Sequence, residues 1–134
     1  MRVFADANIL FSAASKQSAT RELFEILHKK CEIVTCPHAL EEARRNLERK
    51  RPEHADGLGS IMTKLIVSNA FCSSLSVELP QEDIPILAGA IGSQCTHLWT
   101  SDKRHFGKWY GRAVAGVEIV SSIMLANELL RSRE

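Results

Sequence analysis

Two apolar runs of this chain end on an aspartate, "VFAD" at Asp6 and "LWTSD" at Asp102. A third aspartate, Asp83, precedes the apolar run "IPILAGAI", and Glu41 and Glu42 sit early in "ALEEARRNL". Carboxylates gathered at one place repel: two about 4 Å apart at an effective dielectric near 20 do so by roughly 4 kcal/mol. The group becomes stable when one member takes a proton or a cation sits between them. An all-oxygen donor set favours a hard ion, Mg²⁺ or Mn²⁺. Such an ion can generate hydroxide and stabilise the charge of an in-line displacement at phosphorus, the chemistry of a metal-dependent nuclease. Each residue also has an ordinary reading: Asp6 and Asp83 as helix caps, Asp102 as a turn residue, Glu41 and Glu42 as a solvated helix face. Only joint placement separates the two.

Placement depends on the elements that carry these residues. "RVFAD" reads as a buried strand and "NILFSAAS" as a helix. In "SATRELFEILHKK", Thr20 is the expected cap, Leu23, Phe24, Ile26 and Leu27 form an apolar stripe, and Lys29 and Lys30 close the helix. "EIVTC" is a second strand, and the helix after Pro37 carries Leu40, Ala43 and Leu47 on one face until Pro52 stops it. "EHADGLGSIMTKLIVSN" reads as a helix weakened by Gly57 and Gly59. "CSSLSVELP" is an edge strand or a loop, and "EDIPILAGAIGSQ" is a helix with Pro85 in its first turn. "THLWTS" is a third strand, "HFGKWYGRAVAG" a glycine-punctuated loop, "VEIVS" a fourth strand and "SSIMLANELLRSR" a closing helix. Short strands alternating with helices specify an α/β fold with a mainly parallel sheet. In such a sheet the strand ends and following helix starts share one edge, where ligands bind. Asp6, Asp83, Asp102 and the start of the "ALEEARRNL" helix all fall on it.

The order of "FADANIL", "ALEEARRNL", "EDIPILAGAI", "LWTSDKRHFG" and "GVEIVSS" resembles a PIN domain, a family of metal-dependent ribonucleases. The likeness spans nearly the whole chain, so residues 1–134 are expected to form one PIN-like nuclease domain. It implies a three-layer α/β/α sandwich around a mainly parallel sheet, with acidic residues binding Mg²⁺ or Mn²⁺. Carried over by position, Asp6, Glu42, Asp83 and Asp102 are the metal-binding catalytic acids, and Asn8 and Thr100 are supporting polar residues. Glu41 stays a rival to Glu42, because helix rotation decides which points inward. Ser101, where the family often has a smaller residue, joins Thr100 as a donor to the acidic group or to an attacking water. Lys103 and Arg104 follow as phosphate neutralisers. The resemblance further implies an endoribonuclease acting as the toxin of a toxin–antitoxin pair, with RNA as substrate, an inhibitory protein partner and dimerisation. Its alternative is a catalytically silent PIN-like module that binds RNA or protein. A phosphorylated-aspartate receiver would want a late-strand lysine that this order of elements does not supply.

The remaining features set bounds. The length of 134 residues fits one domain, and 45% apolar with 25% charged residues is ordinary for a soluble globular chain. Net charge is +1, so any polyanion must be held by a local patch. Arg44, Arg45, Arg49, Lys50 and Arg51 supply one candidate patch, with Arg45 as a candidate substrate contact, or else a solvated helix end. Trp109 and Tyr110 either pack beneath their loop or stack on bases. His105, a lone loop histidine, is left out of the core site. Cys31, Cys36, Cys72 and Cys95 are expected to be free thiols, since "CEIVTCPH" matches no zinc spacing well. Asp6 and Asn8 interrupt any leader-like apolar segment, and no run reaches membrane-spanning length, so a cytoplasmic location is expected.

Overall fold

The structure, a computed structural model, describes residues 1–71 and 83–131. In chain order its elements are β1 (Arg2–Ala5), α1 (Ala7–Ala14), α2 (Ala19–His28), β2 (Glu32–Thr35), α3 (Pro37–Lys50), α4 (Ala55–Met62), β3 (Ile66–Val67), α5 (Ile84–Gly92), β4 (His97–Trp99), α6 (Lys103–Phe106), β5 (Ala113–Val114), β6 (Val117–Val120) and α7 (Ser122–Arg131). Short 3₁₀ turns follow α3 and α6.

Val3, Phe4, Ala5, Ile33, Val34, Leu98, Trp99, Ile119 and Val120 are all buried, so the inner strands are covered on both faces. Continuous apolar strands of this kind build parallel sheets enclosed by helices. The expected α/β architecture is present: a six-stranded sheet in the order β3-β2-β1-β4-β6-β5, parallel throughout except for β5 against β6. Two connections step outward from β1 to β2 and β3, and α1 packs on α2, α3 and α4. The chain then returns across the sheet to β4, and right-handed crossovers place that return on the opposite face. Phe4 reaches that face, where its ring would lie 3.2 Å from a Cβ built on Gly89 of α5.

Three local expectations are corrected. Ser18, not Thr20, caps α2: its Oγ accepts from the Arg21 amide at 3.0 Å, and Thr20 lies inside the first turn. The segment read as one helix from Glu53 onward splits into a 3₁₀ turn, α4 and the two-residue β3. Branched Ile66 and Val67 find an open edge on β2, with Val34 opposite Ile66 and the Ser68 amide donating to the Thr35 carbonyl at 2.9 Å. The glycine-punctuated loop holds the end of α6, a 3₁₀ turn and β5; with β3, six strands appear among the described residues where four were expected. Ala115 at φ 50° and Gly116 at φ 85° close a two-residue hairpin between β5 and β6. Both central residues of such a primed turn need positive φ. An alanine in that role hid the hairpin from the sequence. The stretch "CSSLSVELP" lies outside the described residues.

Gly57 of α4 shows why a residue that weakens the helix stands there. A Cβ on it would come 1.7 Å from the Ala14 carbonyl oxygen at the end of α1. Arg21 closes the same junction, donating to the Ala13 and Gly57 carbonyls at 2.6 and 2.8 Å.

Candidate active site

Strand order reverses between β1 and β4, which leave the central strand pair side by side at their carboxyl ends. Ligand clefts form at such reversals because the chains leaving the two strands diverge. A cleft of about 400 Å³ opens there, lined by Asp6, Ala7, Asn8, Phe11, Glu42, Asn46, Lys50, Asp83, Asp102 and His105.

Asp6 follows β1 directly and is 3% exposed. Its Oδ1 accepts from the Ala7 amide at 2.7 Å, so it does cap α1, while Oδ2 accepts from the Thr100 hydroxyl at 2.8 Å and from Asn8 Nδ2 at 3.2 Å. Capping and a place in the cleft are therefore compatible. Burial pushes the Asp6 carboxyl up to about 6; the Thr100 and Ala7 hydrogen bonds oppose the rise, and the charges of Glu42 and Asp102 add to it. Asn8 ties the two strand ends together: its Oδ1 accepts from the Ser101 amide at 2.9 Å and from the Ser101 hydroxyl at 3.0 Å. Ser101 thus braces Asn8, whereas Thr100 touches the acid itself. The Tyr110 hydroxyl donates to the Thr100 carbonyl at 2.9 Å and anchors the loop beneath. Trp109 packs against the core with Tyr110.

Asp83 and Asp102 meet across His105. Its Nδ1 lies 2.8 Å from Asp83 Oδ2 and 2.8 Å from Asp102 Oδ2. Asp102 caps α6, its Oδ1 accepting from the His105 amide at 3.1 Å. Asp83 occupies the cap position of α5 but makes no side-chain capping bond, although it is buried. Its carboxylate faces the cleft instead of the helix end. His105, left out of the site by its solitary place in a loop, stands between two of the acids. The available signal was positional: three residues after Asp102, on a helical turn, it shares that residue's face.

On α3 the rotation is resolved. Glu42 lines the cleft and Glu41 is exposed, held by Arg44, whose Nε lies 3.0 Å from Glu41 Oε2 and which also pairs with Glu48. Arg45 does not line the acidic cleft; with Glu42, Asn46, Glu48 and Arg49 it lines a neighbouring groove of about 360 Å³. Lys103 and Arg104 are exposed on α6 and line neither.

Asp83, Asp102 and His105 offer ligand atoms within 4.8 Å of one another, a spacing that could hold a metal ion. The donor chemistry fits a divalent ion of the Mg²⁺ or Mn²⁺ type: carboxylate oxygens and one borderline imidazole nitrogen, with the buried Asp6 carboxyl, pushed up to about 6, lining the same cleft. Cys31, Cys36 and Cys95 are free, with Cys36 and Cys95 buried. No helix among the described residues is long and apolar enough to cross a membrane.

No family model matches the sequence, and no curated protein matches it by sequence. The fold is similar to that of a solved structure, VapBC2 from Rickettsia felis bound to a DNA fragment from their promoter, with a TM-score of 0.65 and 17% identity over 90% of this chain and 98% of that chain. Likeness at that identity establishes a shared α/β fold.

Proposed function

We propose that this chain is a divalent-metal-dependent endoribonuclease built as a single PIN-like domain. The reading is carried by one observation: Asp6, Glu42, Asp83 and Asp102, from four separate elements, line one cleft at the reversal of strand order. Four acids so placed, one of them buried with its carboxyl raised to about 6, are destabilising without a cation. In this reading they hold Mg²⁺ or Mn²⁺, which supplies an acidified water and a counter-charge for the pentacoordinate phosphate.

The protein's own groups do the rest. Asp6 is fixed by Ala7, Thr100 and Asn8, so its free lone pairs keep one direction. Asp102 is held at the α6 start by the His105 amide, and its other oxygen lies 2.8 Å from His105 Nδ1. A water between Asp6 and Asp102 then finds acceptors for its proton. Carboxylates this close exclude an unescorted phosphate, so cations beyond the acids must bring the RNA in. One structural neighbour is VapBC2 bound to a DNA fragment from their promoter. That likeness supports extending the proposal to a toxin restrained by an antitoxin partner; that it acts as a homodimer in the cytoplasm is part of the proposal and rests on the sequence resemblance alone.

The test is cleavage of single-stranded RNA with Mn²⁺ or Mg²⁺, beside Asp83→Asn. We expect metal-dependent cutting by the parent and loss of more than about 100-fold in the variant, beyond the 10–100-fold typical of residues that only support a metal site. Parental-rate cutting by Asp83→Asn, or RNA left intact by the parent in both metals, overturns the proposal. In the second case a silent binding module takes its place.

A further inference from the structure

Glu42, Asn46 and Lys50 recur every four residues on α3, and all three line the acidic cleft. Residues at that spacing stack along one helix face. The stripe begins on a carboxylate, continues through an amide and ends on an ammonium. Eight residues at 1.5 Å each put Lys50 about 12 Å along the axis from Glu42.

The other cations of α3 differ from Lys50 in position or partner. Arg44 is held by Glu41 and Glu48, the 3₁₀-flanking Arg51 pairs with Glu53, and Arg49 reaches Asn46 Oδ1 at 3.4 Å. Among the described residues, Lys50 has no ion-pair partner and is the α3 cation that lines the acid cleft. With its Oδ1 facing Arg49, Asn46 is left with amide donors for the cleft. Glu42 and Asn46 also line the adjoining groove that holds Arg45 and Arg49. The stripe is thus a ridge, acidic at one end and cationic on both flanks of the other.

We propose that Asn46 and Lys50 form the RNA-tracking arm of the site: Lys50 binds a backbone phosphate roughly two to four nucleotides from the scissile bond, given a 3.4 Å rise per stacked nucleotide, and Asn46 donates to the strand between. The proposal rests on the nuclease reading and adds to it a direction for the substrate, along α3 away from Glu42. Arg44, already neutralised by two glutamates, takes no part.

The probe is a fluorescent oligouridylate 12-mer in Ca²⁺, with binding measured by anisotropy from about 50 to 200 mM salt, beside a 2-mer. Lys50→Ala should weaken 12-mer binding about 5- to 10-fold at the lowest salt and make the log–log salt slope less negative by about 0.7, the contribution of one phosphate on a single strand. Lys50→Arg should keep the slope, Arg44→Ala should match the parent, and the 2-mer should bind parent and Lys50→Ala alike. Mn²⁺ binding, followed by thermal shift, should be unchanged or tighter in Lys50→Ala, because a neighbouring positive charge is gone; a damaged fold would weaken it. An unchanged 12-mer slope in Lys50→Ala, with parental cleavage intact, overturns the arm and leaves the nuclease. A parent that neither binds nor cuts RNA overturns both.

Discussion

Each end of the parallel sheet holds a histidine between two carboxylates, and the two ends differ in almost everything else. At the strand-end edge His105 lies between Asp83 and Asp102. At the strand-start edge His97 Nε2 lies 2.8 Å from Glu128 of α7 and 3.8 Å from Glu118, its register partner on β6. His97 Nδ1 is 2.7 Å from the Thr96 hydroxyl, which in turn joins the Arg2 backbone. There the glutamates are open to solvent, 44% and 32% exposed at the side chain, and water screens them. At the other edge Asp6 and Asp83 are buried, the neighbouring charge of Glu42 helps push the Asp6 carboxyl up, and a cleft stands open. A histidine with two acids is therefore not a site in itself. Both groups have the spacing of a metal site; burial, surplus negative charge and a cleft mark the Asp83–Asp102 edge as the one proposed to take a cation, while the solvent-open His97 cluster ties α7 to the sheet.

The comparison can be broken most forcefully by substituting at both ends. Asp6→Asn and Asp102→Asn should each reduce RNA cleavage by more than about 100-fold, since both remove a direct member of the proposed metal group. Glu128→Gln should leave cleavage at the parental rate and cost at most about 1 kcal/mol in a urea melt, as a partly exposed pair does. Cleavage lost on Glu128→Gln would show that the two ends are not independent.

Proton linkage should also distinguish the ends. The Asp6 carboxyl is raised to about 6 from 3.8, so the folded state holds the proton more tightly than the unfolded chain. The metal-free protein gains stability below about pH 4 from this group and loses it as pH rises through about 6, by up to about 3 kcal/mol. Asp6→Asn should flatten that segment of a pH-dependent melt. Manganese should reverse the trend, its stabilisation growing as pH rises through 6 because metal and proton compete for one carboxylate. At saturations near 100 times Kd the gain is about 2.7 kcal/mol, lost in Asp6→Asn and kept in Glu128→Gln. An Mn²⁺ response without pH dependence would remove Asp6 from the metal group.

The smallest effect sharpens the boundary of the acidic edge. Glu42→Gln should impair cleavage, whereas Glu41→Gln, which touches only Arg44 on an exposed helix face, should leave rate and melting point unchanged. Equal losses in both variants would mean that charge near α3, rather than a ligand in the cleft, is what matters.

Much of this was legible in the residues. "VFAD", "EIVTC", "HLWTS" and "VEIVS" are apolar enough to be recognised as strands buried on both faces, and the alternation with helices makes a parallel sheet the economical solution. The edge strands were not legible. β3 and β5 are two residues each, too short for a periodic signal, and they exist because β2 and β6 offer unpaired backbone groups. At the candidate site the polarity of the sheet already put the aspartates on one edge. Only the spacing of three from Asp102 hinted at the histidine among them, and its contact with Asp83, across 22 residues, leaves no local mark.

The sequence by itself determined that acids would stand where parallel strands end, because strand direction and chain order follow from local pattern and crossover handedness. Tertiary structure alone decided which acids share a cleft, that Glu42 and not Glu41 turns inward, that His105 joins them and that Lys50 ends the same stripe. Helix rotation and packing depth set those distances, and both are fixed by contacts between residues far apart in the chain.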